Sequence, residues 1–217
     1  MSQATVVGLG GAAQRLSGYV GFAPQNGDAS VTPWLVSTDY SLITQLHIKQ
    51  NYVGIVQRPV ASQGNPTPPI VGIAALPMRA GQVFTANADG SFAVREDGTS
   101  PNYTFVNLTS EPLAAGLAMS DRPTNALILA PLYGNNSSVL MARPRVLLFF
   151  GPLAPPSPSS NARTTGPGLI FDFAQAHAAA VTFDLNDGWS PTGTLPSGVQ
   201  ITPVTAGTLI APLLFDP

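Results

Sequence analysis

The residues of this chain that could do chemistry are few and scattered. His47 and His177 are the two histidines, and they lie far apart in sequence. His47 alternates with hydrophobics in "TQLHIKQ", a strand-face position. His177 sits among alanines, where a packed histidine is expected. Asp172, His177 and Asp184 are close enough in sequence to suggest a hydrolytic site, with two carboxylates dividing acid and base roles. No G-x-S-x-G elbow, H-E-x-x-H helix or phosphate loop supports catalysis, so the chain is expected not to be an enzyme. It is expected to carry no cofactor or metal.

"FDLNDGW" groups Asp184, Asn186, Asp187 and Gly188. Clustered oxygens suit a hard cation, but Leu195 stands where an EF-hand needs its twelfth-position glutamate. The stretch reads instead as a turn closed by its own Asn and Asp side chains. Trp189 follows it. With Trp34 and Asp187 it could hold a sugar, one face stacked and one edge hydrogen-bonded. "TVVGLGGAAQRL" spells G-x-G-x-x-A through Gly8, Gly10 and Ala13, with Asp28 downstream. That pattern binds a dinucleotide only between a strand and a helix, and no alternating β-α pattern follows. In "MARPRV", Arg143 and Arg145 flank Pro144, and both are expected to pair with local carboxylates. Asn102, Asn107, Asn135 and Asn136 each begin an N-x-S/T sequon, common by chance in a sequence this rich in Asn, Ser and Thr.

Composition narrows the partners. Charged residues make up 9% of the 217, against about 25% in ordinary soluble domains. The net charge is −2 and Lys49 is the sole lysine. Phosphate neutralisation needs clustered Lys and Arg, so a direct nucleic-acid partner is disfavoured. There is no cysteine, which excludes disulfides and thiolate metal sites. The opening residues have neither a positive n-region nor a continuous apolar core, and do not read as a signal peptide. No apolar run reaches the length of a membrane-spanning helix.

The elements that must position these residues read as strands. Short apolar or alternating runs bounded by Gly, Pro, Asn and Asp recur throughout. Glycine and proline number 21 and 22, so turns are dense. Asp89-Gly90 and Asp97-Gly98 bracket an alternating run and predict a three-stranded meander. The run from Val139 to Phe150 is long, with a bulge or edge expected at Pro144. "LIAPLLF" reads as a final strand. Short helices are expected at "FAQAHAAAV" and "SEPLAAGLAMSD". The predicted fold class is all-β: a single β-sandwich, jelly-roll-like, with long Pro-rich loops and one or two short helices. Residues 1–15 are expected as a flexible N-terminal arm and 16–217 as the domain, with excursions at 57–72 and 151–168.

In overall profile the chain resembles viral coat, decoration and spike proteins of jelly-roll type. The resemblance is one of composition and covers no specific residues. It implies a virion surface subunit that assembles with itself, as a trimer or larger, and with other capsid proteins. Scarce surface charge agrees, because interface cores are depleted of Lys, Glu and Asp. Pro152, Pro155, Pro156, Pro158 and Pro167 make the second excursion stiff, so it loses little entropy on docking against a neighbour. The lectin-like alternative rests on Trp34, Trp189 and Asp187. The hydrolase reading stands third.

Overall fold

A computed structural model describes residues 2–8, 15–25, 29–38, 44–48, 51–59, 70–97, 100–151, 161–173, 178–184 and 187–215. The strands are β1 (Ser2–Gly8), β2 (Arg15–Pro24), β3 (Ser30–Val31), β4 (Leu35–Ser37), β5 (Thr44–Ile48), β6 (Tyr52–Pro59), β7 (Ile70–Met78), β8 (Gln82–Ala86) and β9 (Phe92–Glu96). They continue as β10 (Tyr103–Asn107), β11 (Leu113–Met119), β12 (Arg122–Leu132), β13 (Asn136–Gly151), β14 (Gly168–Asp172), β15 (Ala178–Asp184), β16 (Gly188–Pro191) and β17 (Gln200–Val204). One short helix, α1 (Ile210–Phe215), follows. The fold is all-β and sandwich-like, as the turn-punctuated sequence predicts.

β13 is the spine. β2 runs antiparallel along one edge of it. On the other edge β10 pairs its first half and β14 its second. The sheet extends outward through β8 and β9 on one side and through β17 on the other. A second sheet has the order β3-β12-β11-β6-β7, and a third β16-β15-β1-β5.

The alternation of side chains along β13 explains why "VLLFF" is apolar without a break. Val146, Leu148 and Phe150 face one way, into a core with Phe171, Val181, Phe183 and Trp189. Leu147 and Phe149 face the other way, into a core with Tyr19, Ile170, Ile210 and Leu214. A strand covered on both faces loses the polar alternation of a half-buried one. The first half of the spine closes a further core between its own sheet and the second one, where Phe22, Tyr52, Phe84, Phe105, Leu117 and Leu132 meet.

The structure changes several expectations. The Asp89-Gly90 turn does close the β8–β9 hairpin. Gly90 has φ +83°, and Asp89 Oδ1 accepts from Ser91 N at 2.9 Å and from its hydroxyl at 2.6 Å. The third strand, however, does not extend a meander. β10 pairs with β8, in parallel, on the side away from β9. The connection crosses the start of β8 and is pinned there by Gly81. Its N–H donates to Asn102 O at 2.8 Å, and its carbonyl accepts from Asp97 N at 3.0 Å. Gly81 has φ +88°, a region that a side chain would strain.

"SEPLAAGLAMSD" contains strand β11, not a helix. It lies between β6 and β12, and Gly116 allows that: a Cβ there would run into the Ile128 carbonyl. Burial between two neighbours overrides alanine's helix preference. In "FAQAHAAAV" the residues from Ala178 onward belong to β15, for the same reason; 174–177 lie outside the described residues. "LIAPLLF" is helix α1 rather than a strand. Ile210, Ala211 and Leu214 are buried at helical spacing, and Pro212 stands in the first turn, where its missing N–H costs nothing. The segment read as an N-terminal arm supplies a paired strand: β1 lies parallel to β15 and antiparallel to β5.

Candidate functional site

A cavity forms where the spine breaks register. Ala142 pairs with Phe22 and Val146 with Val20, so Arg143, Pro144 and Arg145 all oppose Gly21. This is the irregularity that Pro144 predicts, because a proline cannot donate to the ladder. The bulged segment is held from outside, where Phe173 N donates to Pro144 O at 2.7 Å. Gly21 admits it closely: a Cβ would lie 3.1 Å from the Cβ atoms of both Arg143 and Arg145. The result is a half-open cavity of 390 Å³. That size lies within the range of small-molecule sites.

Three of the chain's few cations line it, Arg79, Arg143 and Arg145, and among the described residues no carboxylate does. Arg145 is an ion-pair partner of Asp172 at 3.1 Å and also donates to Leu213 O at 3.2 Å, satisfying a carbonyl near the end of α1. Arg79 pairs with Glu96 at 3.1 Å on the exposed rim. Arg143 departs from expectation. Its Nε is buried and has no hydrogen-bond partner.

The apolar wall is an aromatic cluster. Phe22 and Tyr52 meet edge to face at 5.4 Å, and Tyr52 and Tyr103 do so at 6.0 Å. Both tyrosines line the cavity. Burial raises the phenol pKa of each above the ordinary value, and the Tyr103 charge would raise that of Tyr52 further. Both therefore stay protonated at neutral pH and keep an O–H to donate. The trace of this site in the sequence is a proline between two arginines inside a strand pattern. Tyr52 and Tyr103 come from other strands and Arg79 from the turn between β7 and β8, and only the packing of sheets brings them together.

The residues singled out in the sequence do not converge. Trp189 is buried, stacked on Phe150 at 5.3 Å and tilted against Phe183 at 5.0 Å, with its Nε1 donating to Pro167 O at 3.0 Å. Its ring faces serve the core rather than a sugar. Trp34 is half-buried between two cores, and its Nε1 has no partner. Asp187 is exposed, and its N–H donates to Asp184 Oδ1 at 3.1 Å, which closes the β15–β16 turn as expected. Asp172 serves Arg145, and Asp184 serves that turn on another sheet, so the two carboxylates have separate structural tasks. His177 lies outside the described residues, and so do Pro152, Pro155, Pro156 and Pro158. Pro167 is tied to its own chain through the Trp189 bond. The glycine pattern after β1 opens no helix reaching Arg15, because Arg15 already begins strand β2. Asn107 is a fully buried framework residue, which rules it out as an accessible sequon.

No known relative emerges. No family model, curated protein or solved structure matches the chain. The arrangement suits an anion: it offers a buried Arg143 Nε without an acceptor among the described residues, two neutral phenols and an apolar wall.

Proposed function

We propose that the chain is a structural, self-assembling β-sandwich subunit, acting through contacts between copies in the outer layer of a virion. The observation that supports this reading most is the scarcity of charge. Nine cationic and eleven anionic side chains serve the whole chain, and among the described residues three ion pairs already neutralise six of them: Arg58–Glu111, Arg79–Glu96 and Arg145–Asp172. Little charge is left to keep copies apart. A surface this poor in Lys, Glu and Asp matches the charge-depleted centre of an interface better than it matches a freely diffusing monomer. The lack of a basic run argues for a role away from the packaged genome.

The test is solution mass by light scattering, over a range of protein and salt concentration. A stable trimer or larger closed particle is expected. A monomer under every condition overturns the proposal. The proline-rich excursion gives a second test. Its return limb is clamped to the chain's own C-terminal segment: Thr164 N donates to Thr208 O at 2.9 Å and Thr164 Oγ1 to Thr205 O at 2.8 Å. Replacing 152–160 by a short Gly-Ser linker should therefore leave the thermal transition within a few degrees while weakening the oligomer. An unchanged oligomer removes this excursion from the interface.

A further inference from the structure

We propose that the cavity at the β13 register break is a binding site for a small organic carboxylate, with Arg143 as its charge partner and Tyr52 and Tyr103 as hydrogen-bond donors. The inference does not depend on the assembly reading.

Arg143 carries the argument. A guanidinium stays charged in any protein environment, so it cannot relieve burial by losing a proton. A buried donor on a charged group without an acceptor is costly, and native structures rarely keep one without a reason. The neighbouring arginines are compensated, Arg79 by Glu96 and Arg145 by Asp172. Among the described residues Arg143 has no such carboxylate, and no acidic side chain lines the cavity. The cavity therefore presents one arginine whose Nε is buried without an acceptor among the described residues. It is matched by a monoanion, and a carboxylate fits the planar guanidinium edge.

The phenols narrow the class further. Each donates one O–H, and neither makes a side-chain hydrogen bond among the described residues. An oxygen-rich anion at Arg143 supplies the acceptors they lack. Val20, Phe22, Val146 and Phe173 make the remaining wall apolar. The ligand should therefore join one carboxylate to a compact body with an apolar face. A free aromatic acid and an acidic sugar residue share that chemistry.

The experiment is a calorimetric or NMR titration of the full chain with benzoate, glucuronate and inorganic phosphate, with benzyl alcohol and glucose as neutral counterparts. Saturable binding of one carboxylate is expected, at least tenfold tighter than its neutral counterpart and tighter than phosphate. Preference for benzoate assigns the site to free organic acids, and preference for glucuronate assigns it to acidic sugars. Arg143→Gln should weaken binding at least tenfold, and Tyr103→Phe severalfold. Arg143→Lys keeps the charge but loses the planar fork, and should rescue only part of the affinity. If Arg143→Gln fails to fold, Tyr103→Phe and Arg143→Lys carry the test. The proposal is overturned if neither acid binds better than its neutral counterpart, if phosphate binds as tightly, or if the folded variants bind as the parent does.

Discussion

Single residues in this protein carry unusual weight because charge is scarce and buried polar groups must satisfy one another. Asn107 is the clearest case. It is 0% exposed. Its amide donates to the carbonyls of Glu111 (2.8 Å), Leu132 (3.3 Å) and Tyr133 (3.3 Å), and its oxygen accepts from the Thr109 N–H and hydroxyl at 2.9 and 2.7 Å. One side chain thus supplies the acceptors and donors of a whole loop. Asn107→Ala strands several of them in a dry interior and should cost about 3 kcal/mol, read from urea denaturation. The two cavity tyrosines make a second residue-scale prediction. Their pKa values are raised in the folded chain, so the unfolded chain ionises first as pH climbs past about 10. Their contribution to stability is intact below that pH and is lost progressively above it. Tyr52→Phe should flatten that alkaline decline, measured by denaturation at several alkaline pH values.

At the scale of elements, local preference decides where pairing does not compete. The Asp89-Gly90 hairpin is legible because its turn chemistry is self-contained: one glycine at positive φ and one aspartate capping Ser91. The buried half of β13 is legible because an unbroken apolar run has few other places to go. Strand β11 and helix α1 are misread in opposite directions for one reason. "LAAGLAM" has helical residues but lies between two strands, while "IAPLLF" has strand residues but packs across the Tyr19–Phe149 core and joins no sheet among the described residues. Neither context is written in the local sequence. The cavity is harder still, since Arg143, Tyr52 and Tyr103 come from three strands. Gly116 tests how tightly the pairing is specified. Gly116→Ala drives a Cβ into the Ile128 carbonyl, which is backbone and cannot swing aside. A loss of ~3 kcal/mol or more is expected, visible as a lower thermal midpoint.

For the whole molecule, the β13 sheet stands between the other layers. Its first half packs against the β6–β11–β12 sheet and its second half against the β1–β15 sheet and α1. The layer containing β1 adds something about time. Gln3 pairs with Ala178 and Gly8 with Phe183, so β1 cannot take its place beside β15 until residues 178–183 have emerged from the ribosome. At about 5–20 residues per second that is a wait on the order of ten seconds or more. During it β5 can already cover one edge of β1, but the edge that receives β15 stands open to the β15 of a neighbouring copy. Birth order thus makes crowded, simultaneous synthesis a natural occasion for strand exchange between copies of this chain.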